Sequence, residues 1–139
     1  MKNLIVIFSF LLLVSCSNDE DNTPTAPIDD DFEPTEATLL KEGEMVGVGH
    51  TVSGTAKVYD EAGKKTVVLD PFSAQNGPDL KVYLSKDENA TEYINLGPLK
   101  STMGKQSYDV TGMPDINDYK FVIIWCQQFS VLFGKAELK

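Results

Sequence analysis

The side chains in this chain that could carry out redox or ligand chemistry are two cysteines and a single histidine. Cys126 follows the apolar run Phe121-Val-Ile-Ile-Trp125, Cys16 lies near the N-terminus, and His50 follows Gly-Val-Gly. A thiol can act as a redox group when it has thiolate character. One histidine does not make a zinc site, which needs three or four ligands, so no metal site is predicted. Any site chemistry must therefore centre on Cys126, with His50 as the other candidate ligand.

The stretch that must position Cys126 has the composition of a central β-strand. Residues 121–125 are all apolar and most are β-branched or aromatic, as in strands that are covered on both faces. Alternation with period two places Cys126 on the same face as Val122 and Ile124, so its sulfur is expected to point into packed protein at the strand's end. Gln127 and Gln128 interrupt the run before the apolar alternation resumes, which predicts either a hairpin or a bulged strand.

The rest of the chain predicts an all-β domain over residues 37–139. Alternating segments separated by Gly and Pro turns indicate strands at 50–59, 64–70, 80–84, 93–96, 106–110, 121–126 and 130–138. About seven to eight short strands at this spacing favour an antiparallel sandwich or a small barrel. Pro71 is expected to end the second strand. The alternative is a mixed fold with one short helix near residues 35–40.

The N-terminus has the pattern of a secretory signal over residues 1–15. One lysine precedes an apolar run from residue 4 to 14, which is too short to span a bilayer. Leu13-Val-Ser-Cys16 resembles the lipobox of bacterial lipoproteins, in which the cysteine sulfur receives a diacylglyceryl group and becomes the first mature residue. Two or three acyl chains, at about 0.8 kcal/mol per buried methylene, anchor a protein stably. The alternative is an ordinary cleaved signal with a stray cysteine; a lipidated Cys16 would leave Cys126 without a disulfide partner.

Charge divides the remaining chain into a tether and a domain. The net charge is -9, and eight of the 21 acidic residues lie within residues 19–36, which contain no lysine. Residues 16–36 are therefore predicted to be the lipidated cysteine and a disordered acidic tether. The run Ser17-Asn-Asp-Glu-Asp21 resembles the surface-export signal of Bacteroidetes-type lipoproteins, which implies a lipid-anchored outer-membrane location, exposed at the surface; the alternative is a solvated spacer. No basic face exists, and the chain has no arginine, so nucleic acid is excluded as a partner.

Several separate motifs resemble the DM-thirteen family, also called the electron-transfer DM domain, across residues 39–138. They are Gly-Val-Gly-His50 leading to Val52-Ser-Gly-Thr55, Asn76-Gly-Pro-Asp-Leu-Lys-Val-Tyr-Leu-Ser85, Leu96-Gly-Pro-Leu-Lys100, Gln106-Ser-Tyr-Asp-Val110, and Tyr119 through Phe133 with its Trp125-Cys126. The resemblance implies an extracytoplasmic module whose single cysteine acts in redox chemistry, as a bare thiol or as a ligand to a group such as haem. It implies no substrate, and the electron source would be another protein.

Each candidate residue also has an alternative interpretation. Cys126 could be a buried structural cysteine, and His50 could simply pack at the start of a strand. The Asn76-Gly-Pro-Asp79 cluster could bind calcium but is more typical of a turn. The second functional hypothesis is a non-enzymatic surface module that binds a protein or a glycan, with Tyr93 and Tyr108 as candidate contacts. The expected partners are thus the membrane, through Cys16, and a redox or surface protein.

Overall fold

The computed structural model describes residues 22–139. The predicted signal sequence, Cys16 and the acidic run Ser17–Asp21 lie outside the described residues. The described chain forms nine strands and one 3-10 turn (Ile116–Asp118), which confirms the all-β prediction. The strands are β1 (Ile28–Asp29), β2 (Thr38–Gly47), β3 (Val52–Glu61), β4 (Lys64–Ala74), β5 (Leu80–Ser85), β6 (Tyr93–Pro98), β7 (Gly104–Asp109), β8 (Phe121–Cys126) and β9 (Val131–Glu137).

All nine strands join one curled, half-barrel sheet in the order β1-β7-β4-β3-β2-β9-β8-β5-β6. Every named contact between strands is antiparallel except the pairing of β1 with β7. The curl brings the inner faces of both halves onto one hydrophobic core, which includes Val58, Leu69, Leu84 and Ile124. Burying these branched side chains away from water is the main force that holds the sheet closed.

The predicted central strand is confirmed, since β8 pairs with β9 on one side and with β5 on the other. Val122, Ile124 and Cys126 belong to the core, whereas Phe121 and Trp125 are half-buried on the outer face. Residues 127–130 form the turn of the β8–β9 hairpin, and the register shifts between Ile124 and Trp125. Of the two alternatives that the polar interruption predicted, the hairpin is therefore present.

Two local predictions were wrong. Pro71 does not end the second strand, because β4 continues to Ala74, and its partner β3 has a register shift between Gly54 and Ala56. At such a bulge the ladder is already interrupted, so the missing proline N–H is tolerated. The helix considered near residues 35–40 is absent, because β2 begins at Thr38. Few β2 side chains point inward, so its backbone pairing with β3 and β9, rather than an apolar pattern, fixes it as a strand.

The described part of the segment predicted as a tether contacts the domain. Asn22 forms a bridge with Pro78, the Thr102 N–H donates to the Pro24 carbonyl at 2.8 Å, and Ile28 pairs with Gly104. These contacts are backbone hydrogen bonds rather than apolar burial, and composition carries no signal of them. The folded body thus includes a short N-terminal strap, residues 22–30, that runs along β7 and the loop before β5.

Replacing Asp30 by Asn tests how the strap is held. Its Oδ2 accepts from Lys100 Nζ at 2.6 Å, from the Ser107 N–H at 3.1 Å and from the Ser107 hydroxyl at 3.0 Å. The Lys100 bond, followed by the Ser107 bonds, lowers the pKa of Asp30 against a smaller effect of burial. A lowered folded-state pKa contributes stability that is complete above the unfolded value of about 4 and is lost as the pH falls through the folded-state pKa.

We therefore expect Asp30→Asn to reduce the free energy of unfolding at pH 7 by about 1 kcal/mol. The difference from the wild type should shrink as the pH falls below about 4, because the wild-type carboxylate then becomes protonated as well. Urea unfolding at pH 7, 4, 3 and 2 measures this difference. Asp31→Asn, one residue further along, is the matched control; an equal loss in both variants, or a loss that is independent of pH, contradicts the assignment.

Candidate functional site

The Cys126 thiol lies at the end of β8 and is 1% exposed. It donates a hydrogen bond to the Pro78 carbonyl, with 3.0 Å between Sγ and oxygen. Pro78 belongs to the loop that leads into β5, and the Gln127 N–H fixes this loop by donating to the Asp79 carbonyl at 3.1 Å. Cys126 forms no disulfide within residues 22–139. The sulfur is thus a free thiol that is held in one orientation at the edge of the core.

A pocket of about 290 Å³, open to solvent, lies directly beside this thiol. Three loops surround it, at residues 48–51, 75–79 and 127–130, and most of its wall is apolar. Its lining residues are His50, Gln75, Asn76, Gly77, Pro78, Cys126, Phe129, Val131 and Phe133. The sulfur is therefore buried, but the pocket beside it opens to solvent and offers a route to it.

The structure brings His50 to the same pocket as Cys126. The imidazole stacks on the Phe133 ring, with 3.7 Å between centroids and 8° between planes. Its Nδ1 is buried, and no atom of residues 22–139 forms a hydrogen bond with it. A buried polar atom without a partner costs about 1–3 kcal/mol, so its presence here needs an explanation. The pocket thus holds a thiol and an unpaired imidazole nitrogen on an otherwise apolar wall.

Gly77 and Phe133 shape the pocket, and sequence reasoning did not assign either to it. A Cβ atom on Gly77 would lie 2.6 Å from Phe133 Cζ, so only glycine lets the loop approach the ring this closely. Phe133 is itself 5% exposed. In the sequence, the alternation of Phe133 with Phe129 and Val131 predicts that all three lie on one side of the final strand, and this was the hint that they could line a site together. The sequence did not indicate which loop would cover that side.

The Asn76–Asp79 cluster forms a turn. The Asn76 side-chain oxygen accepts from the Gly77 N–H at 2.8 Å, and Asp79 pairs with Lys81 Nζ at 2.6 Å. Across residues 22–139 no group of three or more histidine, cysteine or acidic side chains could hold a metal ion. The polar side chains of this turn therefore stabilise the loop that carries the Pro78 carbonyl.

The two tyrosines considered as surface contacts lie in opposite environments. Tyr108 is buried, and its hydroxyl donates to Gln106 Oε1 at 2.7 Å, so its assignment as a surface contact was wrong. Burial also raises the pKa of Tyr108.

Tyr93 is exposed on the outer face, where it stacks on Tyr83 at 4.1 Å between centroids. Burial, with the neighbouring Tyr93, raises the pKa of Tyr83 to about 12. Trp125 continues this row, 6.2 Å from Tyr83, on the sheet face opposite to Cys126.

A haem does not fit the pocket as the structure shows it. Its volume of about 290 Å³ is at the lower end of the range for small-ligand pockets, which is roughly 300–1,000 Å³. The stacked Phe133 ring covers one face of the imidazole, and the thiol proton is engaged with Pro78. Cys126 and His50 have the chemistry of axial ligands, but the pocket that both of them line is too small to hold a macrocycle. The pocket fits a smaller ligand.

Comparisons with known proteins give one match. A family model described as Electron transfer DM13 matches residues 44–138, which include Cys126, His50 and the three pocket loops. Neither the curated proteins nor the solved structures contain a match to this chain. Within residues 22–139, no helix has the length and apolar character needed to cross a membrane.

Proposed function

Because the chain belongs to the electron transfer DM13 family, we propose that it is a lipid-anchored extracytoplasmic redox module whose working group is Cys126. The observation that carries the proposal is the pocket beside the thiol, which His50 also lines, together with a His50 Nδ1 that is buried without a hydrogen-bond partner among residues 22–139. A purely structural cysteine needs neither an adjoining void nor a polar neighbour without a partner. Perturbed or unpaired polar groups that converge on a mostly apolar pocket are typical of functional sites.

The pocket volume favours a bare thiol over a prosthetic group. A single thiol can carry out a balanced redox step with a small disulfide as the oxidant. The sulfur loses its proton and attacks one sulfur of the disulfide, an Sγ–S bond forms as the S–S bond breaks, and the departing sulfur takes up a proton. A second, external thiol then loses its proton and attacks the outer sulfur of this mixed disulfide; a new disulfide forms between the two external sulfurs, the Sγ–S bond breaks, and Cys126 regains its proton. Cys126 would thus pass oxidising equivalents between partners.

Two groups beside the sulfur would control this step. The Pro78 carbonyl accepts the thiol proton's hydrogen bond, so that bond has to break before the sulfur can attack. His50 lines the same pocket, its Nδ1 has no hydrogen-bond partner among the described residues, and a neutral imidazole nitrogen can accept a proton. We assign His50 the role of proton acceptor and the apolar wall the role of limiting water access.

The N-terminal sequence supports the proposed location. The lipobox-like Leu13-Val-Ser-Cys16 and the preceding apolar run support lipidation at Cys16 after export across the inner membrane. An outer-membrane position, with the domain at the cell surface, is supported by the acidic run Ser17–Asp21. Lipidation of Cys16 would keep Cys126 from an intramolecular disulfide, which agrees with a thiol that exchanges with partners.

The proposal is tested by incubating the native full chain with a small disulfide such as hydroxyethyl disulfide and following the intact mass. We expect one adduct at Cys126 without unfolding, and a rate that falls roughly tenfold or more in His50→Gln, because the proton acceptor is removed. Cys126→Ala, with its folding verified by circular dichroism, is the control for reaction at Cys16. An adduct that forms only in urea shows a structural cysteine and overturns the redox role.

A surface-binding module remains the second candidate, and the outer-face aromatic row favours it. Tyr93 is 45% exposed, and its ring continues onto Tyr83 and Trp125. Exposed aromatic rings of this kind are common anchors in interfaces. If the protein is such a module, Tyr93→Ala should abolish binding of the protein or glycan partner. Disulfide exchange at Cys126 should stay unchanged, because Tyr93 and Cys126 lie on opposite faces of the sheet.

A further inference from the structure

The end of the domain that carries the pocket has an unusual charge distribution. Two of the three surrounding loops, residues 48–51 and 127–130, contain no aspartate, glutamate, lysine or arginine, although 24% of the chain is charged. The third loop, residues 75–79, contains one charged residue, Asp79, which pairs with Lys81 Nζ at 2.6 Å. Charged side chains normally occupy exposed loop tips, because they keep a surface soluble. At the opposite end of the β3–β4 hairpin, by contrast, the turn region holds Asp60, Glu61, Lys64 and Lys65. Apart from the paired Asp79, the three loops at this end of the molecule therefore lack the charges that the other end displays.

Exposed apolar side chains lie at the same end of the molecule. Phe129 is 64% exposed, Val48 is 40% exposed and Val131 is 38% exposed. Phe129 and Val131 line the pocket mouth, and the Val48 N–H donates to the Phe133 carbonyl at 2.8 Å, so the three belong to one region. We call this set, Val48, Phe129 and Val131, the apolar rim. Exposed apolar groups that cluster around a pocket mark a docking surface rather than ordinary solvent-facing protein.

The N-terminal strap leads the chain to this same end. Asn22 forms a bridge with Pro78, which lines the pocket, and the Thr23 hydroxyl donates to the Gly77 carbonyl at 3.4 Å. Six peptide links join Asn22 to Cys16, so covalent geometry limits their separation to about 20 Å. A lipid on Cys16 would therefore lie close to the apolar rim. The charged turn region of residues 60–65 lies at the far end of the β3–β4 hairpin, one full hairpin length away.

We propose that the apolar rim docks onto the surface of a lipid bilayer, with the pocket mouth directed at the acyl boundary. The inference rests on the proposed lipid anchor at Cys16, and it deepens the proposed function by assigning the site's access route. Interfacial binding needs exposed apolar side chains, freedom from charge at the buried tips and a means of concentrating the protein at the membrane. The rim supplies the first two and the short link to Cys16 supplies the third. In this arrangement, the external disulfide that reacts with Cys126 is a compound that partitions into lipid and reaches the pocket from the membrane.

The test compares two single-tryptophan forms of the lipidated full chain on phosphatidylcholine vesicles. Trp125→Phe removes the only native tryptophan, and Phe129→Trp then places a reporter in the rim. Met113→Trp places the matched reporter at the other end, where Met113 is 83% exposed and its side chain approaches Gly63. Bromine in the acyl chains should lower the emission of the rim reporter about twofold or more and leave the Met113→Trp emission nearly unchanged, because quenching requires contact with the acyl region.

A charge in the rim provides the second arm. Val131→Asp, added to the Phe129→Trp form, should remove the quenching because a carboxylate resists transfer into the interface. Met113→Asp in the same form should leave the quenching intact. Equal quenching of the two reporters, or quenching that survives Val131→Asp, overturns the docking. Self-association of the rim, seen as a dimer by light scattering together with an unquenched reporter, overturns it as well.

Vesicle flotation separates this inference from the proposed function. If the full chain floats with the vesicles and Cys16→Ser does not, the anchor is present, and an unquenched rim then rejects only the docking. If the full chain does not float, the anchor fails and the docking fails with it, whereas disulfide exchange at Cys126 is judged by its own assay. If exchange fails while the rim reporter is quenched, the docking stands without the redox role.

Discussion

Replacing Phe133 by alanine is expected to lower the free energy of unfolding by about 3–5 kcal/mol, because it empties a buried aromatic site. Phe133 is 5% exposed, stacks on His50 and fills the space that Gly77 leaves open. Its loss removes the ring that stacks on His50 and packs against Gly77, and it leaves a cavity at the edge of the core. Urea unfolding of the full chain, followed by the fluorescence of Trp125, measures the change.

The same substitution should also expose the Cys126 sulfur, since Phe133 lines the pocket beside it. Disulfide exchange at Cys126 is expected to accelerate under conditions in which Phe133→Ala remains folded. Phe129→Ala is the matched control: this ring is 64% exposed, so its removal should change stability by less than about 0.5 kcal/mol. Equal destabilisation by the two alanines would show that the stacked arrangement of His50 and Phe133 does not exist in solution.

Gln106→Leu is expected to reduce the free energy of unfolding by about 3 kcal/mol, although it makes the core more apolar. Gln106 is fully buried, and its side chain bonds both backbone groups of Ser101: Nε2 donates to the carbonyl at 3.0 Å, and Oε1 accepts from the N–H at 3.2 Å. Oε1 also accepts from the Tyr108 hydroxyl at 2.7 Å. Leucine has a similar volume but leaves these groups without a partner in a region that water does not reach.

Thermal and urea unfolding provide the measurement, and Gln128→Leu provides the control. Gln128 is exposed in the β8–β9 turn, so the same change there should alter stability by less than about 0.5 kcal/mol. Gln106→Glu offers a further check, because it retains the acceptor and loses the donor to the Ser101 carbonyl. A neutral or stabilising Gln106→Leu would mean that the network contributes nothing beyond its packing volume.

The sequence predicted those elements whose side chains repeat a local pattern. β8 was assigned correctly, down to the face that carries Cys126, because alternation is a property of consecutive residues. The β3–β4 hairpin was predicted for the same reason, with the Asp60–Gly63 turn between two alternating segments. β2 was missed, since most of its side chains are exposed and its strand geometry depends on two neighbours that are distant in the chain.

The site was only partly visible in the sequence. Cys126 and His50 were the right candidates by residue type, and the structure places both at one pocket. Phe133 and Gly77 were not assigned to it, and Tyr108 was placed at the surface although its hydroxyl belongs to the buried Gln106 network. Nothing in a single sequence indicates which polar side chain finds a buried partner, because such pairs form between separate strands and loops.

By itself the sequence determined that the domain is built from short strands, that the thiol faces the core at the end of an apolar strand, and that the N-terminal segment is acidic. Each of these follows from composition or from the two-residue repeat of a strand, which act over a few neighbouring residues. Only the tertiary structure decided that a void lies beside the sulfur and that the strap ends next to it. Both depend on the strand order β2-β9-β8-β5, which brings three unpatterned loops together, and chain neighbours cannot encode such long-range pairing.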